Sequence, residues 1–210
     1  ARTDLIIMVE TQSFMFLTGP DVIKAVTGEI IDAENLGGAD VHMMISGLAH
    51  LSAPTEEATL ALTRQIIGYF PSNNVENPPY QTPTDDPLRM DDDLNTIVPV
   101  DPTAPYIMHD VITRVVDRDS FIELQPLWAR NAITGLARIG GHSVGIVAQE
   151  PSIMAGVIDI DASDKMARFV RMCDCFNIPL VTFVDSPGYL PGIDQEHRGT
   201  IRHGAKLLYA

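Results

Sequence analysis

A chain of 210 residues with 45% hydrophobic content is long enough to bury a sizeable core in one or two domains. Its formal net charge of -14 argues against nucleic acid and anionic membranes as partners, since both need basic patches. It leaves room for an anionic ligand met by local Arg, Lys and backbone amides.

Residues 5–9 and 14–17 read as two strands around the polar turn Glu10-Thr11-Gln12-Ser13. Thr18-Gly19-Pro20-Asp21 then opens a helix, with Pro20 at the first helical position and Asp21 at the positive end of the dipole. Behind a glycine, such a helix start can meet an anion, although an ordinary strand-to-helix turn has the same pattern. Gly37-Gly38 marks a break, residues 41–47 read as extended and buried, and residues 55–69 as a helix opened by Glu56 and Glu57. From residue 71 to 105 the composition changes: Pro78-Pro79, Pro83, Pro87, Pro99, Pro102 and Pro105 are scattered among Asp85-Asp86 and Asp91-Asp92-Asp93. This predicts an extended, solvated connection between domains.

The second half begins near Tyr106, with a short helix over residues 109–116 and a strand over 121–124. Residues 132–139 and 143–148 read as strands joined by Gly140-Gly141-His142, and residues 163–176 as an amphipathic helix carrying Met166, Phe169, Val170, Cys173 and Phe176 on one side. Residues 180–184 form a β-branched, aromatic run that stops at Asp185. Helix followed by strand here completes a right-handed βαβ unit. Two Pro-Gly pairs follow, Pro187-Gly188 and Pro191-Gly192, holding Tyr189 and Leu190 between them in a stiff loop. A helix over residues 195–209 comes next. Strand, rigid loop and helix is where open α/β sheets bind ligands, beyond the carboxyl end of a strand.

Several patterns compete for chemistry. Gly141-His142-Ser143-Val144-Gly145 matches the nucleophile elbow, but strands on both sides put the serine at a hairpin rather than a strand-to-helix turn. Asp159, Asp161 and Ser163 begin like a calcium loop, yet Asp164 stands where the loop needs glycine; a helix start capped by Asp161 or Ser163 fits better. The acidic run of the connection lacks ligand spacing, so no metal site is expected. Glu196 and His203, seven apart on one predicted helix, could serve as acid and base, but surface positions are the simpler reading. His42, His50 and His109 carry no pattern. Cys173 and Cys175 lie on opposite sides of a helix and read as reduced residues of a cytoplasmic protein. No apolar run approaches the ~20 residues of a membrane span. No signal peptide opens the chain. A start inside a strand and an end in mid-helix predict an interior piece of a longer protein.

Together, certain stretches resemble the biotin-dependent acyl-CoA carboxyltransferases, of the propionyl-CoA carboxylase β-chain and transcarboxylase large-subunit type. In the first half they are Phe16-Leu17-Thr18-Gly19-Pro20-Asp21-Val22-Ile23-Lys24, Thr27-Gly28-Glu29 and Glu34-Asn35-Leu36-Gly37-Gly38-Ala39. In the second they are Asp159-Ile160-Asp161-Ala162-Ser163-Asp164-Lys165, Ala167-Arg168-Phe169-Val170, Phe176-Asn177-Ile178-Pro179-Leu180, Phe183-Val184-Asp185-Ser186 running on through Gly192, Gln195-Glu196-His197 and Ile201-Arg202-His203-Gly204-Ala205-Lys206. The match covers nearly the whole chain and is weakest in the connection.

The resemblance implies an α/β fold of two crotonase-superfamily lobes of the ββα-spiral kind, each partly present. Residues 1–95 would belong to the amino-terminal lobe, with a linker over about 71–105, and residues 106–210 to the carboxy-terminal lobe. It implies a carboxyltransferase in which acyl-CoA, the substrate, meets biotin borne by a partner carrier domain, at an interface within a homo-oligomer, a hexamer built as a trimer of dimers. A biotin carboxylase and carrier subunit would be partners, in the cytoplasm or the mitochondrial matrix. Carboxybiotin would release its carboxyl group as carbon dioxide, the freed biotin would take a proton from the acyl α-carbon, and the resulting enolate would attack the carbon dioxide, while two oxyanion holes of backbone N–H groups would stabilise the charge, at ~3 kcal/mol per donor. Those holes would lie before the equivalent of Arg2-Thr3-Asp4 and beyond Ala210, so no catalytic residue is expected within the chain and the piece alone is expected to be inactive. Gly188, Tyr189, Leu190, Pro191 and Gly192 would flank biotin, and Phe16, Thr18 and Gly19 the acyl-CoA. Arg198 and Thr200 depart from the family pattern. A decarboxylase or transcarboxylase subunit of the methylmalonyl-CoA type shares these motifs, and a binding scaffold is the reading from another class.

Overall fold

A computed structural model describes residues 3–101 and 104–210; Arg2 and Pro102, named above, lie outside them. The chain forms two compact units. One comprises the residues up to Gln65 together with Gln125–Trp128; the other comprises Ile66–Leu124 and Ala129–Ala210.

In the first unit β1 (Ile7–Val9) pairs in parallel with β2 (Leu51–Ala53), and Ile6, Met8, Ala39, Met43 and Ala49 form the core. Between the strands run α1 (Pro20–Thr27) and α2 (Ala33–Gly37), and α3 (Glu56–Ile67) follows β2. α1 begins with the expected proline and ends at Gly28, whose φ of 79° only glycine adopts cheaply. α2 is capped by Asp32, whose carboxylate accepts the Asn35 amide at 2.7 Å.

Two expectations fail here. Residues 14–17 are not a strand. The Met15 amide donates to the Gly37 carbonyl (2.9 Å), and the Met15 carbonyl accepts from His42 Nε2 (2.6 Å), while Phe14 and Leu17 are exposed. Residues 41–47 are not extended either: Val41–Ile45 is a π-helical turn, closed by Ser46 donating to the carbonyl five residues back at 3.0 Å. The turn buries His42 and Met43 and leaves Met44 and Ile45 outward. Since His42 Nε2 must donate to a carbonyl, its Nδ1 accepts from the Ser46 hydroxyl at 2.7 Å. His50 Nδ1 accepts the Ile6 amide at 3.1 Å, so both histidines are satisfied core groups.

In the second unit α4 (Leu94–Ile97) and α5 (Met108–Val115) precede a four-stranded sheet of order β3 (Ile122–Leu124), β4 (Ala132–Ile139), β5 (His142–Gln149) and β6 (Leu180–Phe183). The first three strands are antiparallel. The expected hairpin between β4 and β5 turns on Gly140 and Gly141, with φ of 56° and 83°, while His142, read as the third turn residue, is the first residue of β5. α6 (Ile160–Cys175) then crosses over, so that β6 runs parallel to β5. β4 and β5 are buried on both faces, which is why they read as continuous apolar runs. One face, carrying Ile133, Ala137, Val144, Ile146 and Ala148, packs on Met108, Ile112 and Val116 at α5. On the other, a Cβ at Gly145 would stand 2.7 Å from the Cys173 Sγ, so the bare glycine lets α6 close on the sheet.

The proline-rich connection is largely exposed, as expected, yet it is tied to this unit by hydrogen bonds. Arg89 pairs with Asp85 and donates to the carbonyls of Arg114 (2.9 Å) and Val116 (2.7 Å). Asn177 Nδ2 donates to the carbonyls of Asn74 and Glu76, each at 3.0 Å.

Lys165 on α6 is 1% exposed and donates to the Ala132 carbonyl at 2.7 Å. Burial, opposed by the field of Glu123, pulls its ammonium from 10.5 down to about 8. Above about 8 the folded chain sheds this proton while the unfolded chain keeps it up to 10.5, so stability rises with pH in that window. Below it the burial penalty, ~3 kcal/mol, is fully present. Lys165→Met lacks this titration. The parent should therefore gain on the variant by up to ~3 kcal/mol between pH 8 and 10.5 in chemical denaturation; a pH-independent difference would refute it.

Candidate active-site loop

β6 ends at Phe183, paired with Ala148, and the chain leaves the sheet into the loop that carries Gly188, Tyr189, Leu190, Pro191 and Gly192. Gly188 has a φ of 121° and Gly192 a φ of 146°, and a Cβ on either would meet open space. Backbone conformation alone therefore demands glycine at both. Between them the main chain is pinned: Ile158 donates to the Gly188 carbonyl at 2.9 Å, and the Leu190 amide donates to the Ile158 carbonyl at 2.8 Å. The Ser186 hydroxyl accepts the Gly188 amide at 3.1 Å. The five expected residues thus form one rigid ledge. Tyr189 is 48% exposed and partly covers Gly204, while Val184 and Ile193 add exposed apolar surface on either side.

Behind the ledge stand α7 (Ile193–His197) and α8 (Thr200–Leu208), where a single helix was expected. Gly199, at φ 88°, breaks it. Glu196 and His203 consequently do not share a helical face. His203 Nδ1 lies 2.9 Å from Asp164 Oδ2, and Lys206 Nζ donates to Asp164 Oδ1 at 2.7 Å, which docks α8 on α6. α6 is capped by Asp159, not by Asp161 or Ser163: the Asp159 carboxylate accepts the Ala162 amide at 2.8 Å. Burial first, and then the Asp159 carboxylate, raise the Asp161 acid above its ordinary value. Gln195 Oε1 accepts the Ile160 amide at 3.2 Å, tying α7 to the start of α6.

Ser143 lies inside β5, buried, accepting from Arg138 Nη1 at 3.1 Å, so it is no elbow nucleophile. Among the described residues, no group of three or more His, Cys, Asp or Glu is arranged to hold a metal ion. No helix among them is long and apolar enough to cross a membrane.

In the first unit Phe16, Thr18 and Gly19 lie together on the turn that enters α1. The Phe16 ring sits over two glycines, 3.5 Å from where a Gly19 Cβ would stand and 3.1 Å from a Gly37 Cβ. The amides of Val22 and Ile23 are turned onto the Gly19 carbonyl at 3.1 and 3.2 Å, so they are not free to meet an anion.

Sequence reasoning missed the loop's supports. Tyr106 donates its hydroxyl to Asp185 Oδ2 at 2.6 Å, and the Asp185 amide donates to Gln149 Oε1 at 3.1 Å. Nothing in the order of residues marks that pair. Gly204 did carry a signal, because an isolated glycine inside a helical pattern points to close packing.

A family model for the carboxyl transferase domain matches residues 1–210. The chain is 55% identical over 210 residues to the propionyl-CoA carboxylase carboxyltransferase subunit of Haloferax mediterranei. It is 53% identical to the methylmalonyl-CoA decarboxylase α subunit of Veillonella parvula. In each case it covers 100% of itself and 41% of the relative. The crystal structure of transcarboxylase 12S, a hexamer with hydrolysed methylmalonyl-CoA bound, superposes with a TM-score of 0.94 at 48% identity, over 99% of this chain and 41% of that one. The α/β architecture is therefore the crotonase-like carboxyltransferase fold, present in part. With its whole length matched, this chain belongs to the carboxyl transferase domain family.

Proposed function

We propose that the full-length protein carrying this segment is the carboxyltransferase subunit of a biotin-dependent acyl-CoA carboxylase, acting on a short acyl-CoA such as propionyl-CoA. The observation that carries this is the family match over all 210 residues. The ledge is chemically suited to the vitamin: a flat, half-exposed aromatic and a leucine stand on a main chain hydrogen-bonded to Ile158 on both sides of Tyr189. Biotin supplies a ureido nitrogen able to carry the carboxyl group. Tyr189 and Leu190 form its apolar wall and keep water from that side, and Gly188, Pro191 and Gly192 hold the wall in place. Phe16, Thr18 and Gly19 line the acyl-CoA side. The oxyanion-stabilising amides come from segments of the full-length protein that this chain does not span, which makes the residues here binding rather than catalytic groups. The protein assembles as a homo-oligomer, takes biotin from a carrier subunit, and works in the cytoplasm.

The 53% identity to a methylmalonyl-CoA decarboxylase subunit supports a second reading, a decarboxylase or transcarboxylase with the same half-reaction. Dependence on ATP and a biotin carboxylase, as against sodium and a membrane partner, separates the two.

The half-reaction itself is tested by incubating the full-length protein with methylmalonyl-CoA and free biotin and following propionyl-CoA by chromatography. Biotin-dependent product is expected. Truncating Tyr189 and Leu190 together to alanine should slow it ~10- to 100-fold, mainly through a higher KM for biotin. Product formation indifferent to biotin would overturn the reading.

A further inference from the structure

We propose that Tyr106 and Asp185 form a positioning pair that aims the Gly188–Gly192 ledge, an inference that rests on the biotin role given to that ledge above. Asp185 is the loop's second residue past the last ladder pair, Phe183 with Ala148, and three separate elements grip it. The Gln149 side chain accepts its amide at 3.1 Å. The Tyr106 hydroxyl donates to its carboxylate at 2.6 Å, within the short range of charge-assisted bonds. The third grip is the turn Met154–Gly156, where Met154, Ala155 and Gly156 all have positive φ, at 51°, 54° and 68°. That left-handed turn is strained at its two non-glycine residues. It brings Gly156 so close beneath Asp185 that a Cβ there would collide with the Asp185 carbonyl oxygen.

The short path from Asp185 to Tyr189 transmits this grip. Only Ser186, Pro187 and Gly188 intervene; Pro187 has a fixed φ, and Ser186 holds the Gly188 amide. A rotation at Asp185 therefore reaches the Tyr189 ring with little slack to absorb it. Tyr106 stands just ahead of α5, 79 residues away from Asp185 in sequence, so the grip is a long-range one. Burial and the adjacent carboxylate raise the Tyr106 phenol well above its ordinary value, which keeps it a donor at any assay pH.

The test uses the full-length protein, free biotin and methylmalonyl-CoA. Tyr106→Phe and Asp185→Ala should each raise the KM for biotin ~tenfold, the scale of a lost charge-assisted bond, with the KM for the CoA ester and the Tm unchanged. Asp185→Asn, whose amide oxygen still accepts the phenol, should recover most of the loss. Tyr106→Phe combined with Asp185→Ala should be no worse than either alone, because both remove one interaction. If Tyr189→Ala raises the KM for biotin and Tyr106→Phe does not, the pair is overturned while the ledge keeps its role. If neither does, the ledge loses its role and the pair falls with it. A matching rise in both KM values, or a lowered Tm, would make the contact merely structural and overturn the positioning role.

Discussion

Arg138→Met is expected to destabilise the protein by ~4 kcal/mol and to leave much of it insoluble on expression. Arg138 sits at 6% exposure near the end of β4. Its Nη1 donates to the Pro79 carbonyl (2.9 Å), the Gly141 carbonyl (3.2 Å) and the Ser143 hydroxyl (3.1 Å), and its Nη2 to the Gly68 carbonyl (2.7 Å). The guanidinium carbon also lies 4.6 Å from the Tyr69 ring centroid, and Tyr69 in turn donates to the Ser120 carbonyl at 2.6 Å. One planar fork thus joins the α3 exit, the start of the proline-rich connection and the β4–β5 hairpin. Methionine fills similar space but leaves acceptors in a low-dielectric interior, each costing ~1–3 kcal/mol. Relief from burying a charge offsets part of that sum. Arg138→Lys should recover less than half the loss, because a single ammonium cannot reach acceptors spread across the fork. The hairpin is also gripped from its other side, where Asp117 accepts the Gly140 and Gly141 amides at 2.8 and 2.7 Å. The damage should therefore concentrate at residues 68–79 rather than at the turn. Chemical denaturation of the full-length protein measures the loss, and hydrogen exchange locates it. A loss under 1 kcal/mol would show that water or neighbouring donors replace the guanidinium.

That hub also illustrates what could be read from the residues in order. A lone arginine in the apolar run Ala132–Ile139 was visible, but two of its acceptors, the Pro79 and Gly68 carbonyls, lie 59 and 70 residues earlier, which no local pattern names. The second unit was legible where local chemistry and burial agree: the Gly140-Gly141 turn, the two doubly buried strands, and the helix–strand passage from α6 to β6. The first unit was misread where they disagree. Residues 14–17 and 41–47 are apolar enough for strands, yet one is a surface segment held by Gly37 and His42, and the other a π-helical turn. An apolar run states that something will cover it, not which backbone hydrogen bonds it will make. Gly199 and Gly204, five residues apart, show the same limit: one separates two helices at positive φ, the other continues a helix under an aromatic ring, and the residue type alone does not distinguish them.

Gly204→Ala is expected to separate stability from activity. Alanine is the better helix former by ~1 kcal/mol, so α8 should gain. The new methyl, however, would stand 2.9 Å from the Cε1, Cζ and Oη atoms of Tyr189, closer than carbon atoms pack. α8 cannot retreat easily, because Asp164 holds it through His203 and Lys206. The Tyr189 main chain is pinned on both sides to Ile158. The ring, 48% exposed and free at its outer edge, is the part that yields. A wall shifted by ~1 Å can cost ~100-fold in a transfer that depends on alignment, so the rate from methylmalonyl-CoA to free biotin should fall by ~10- to 100-fold while the Tm holds or rises. In a Tyr189→Ala background the same change at Gly204 should have no further effect on transfer, since the side chain it would push is gone. Equal losses in both backgrounds would place the damage in α8 itself. An unchanged rate in the single variant would mean that the orientation of Tyr189 does not govern transfer.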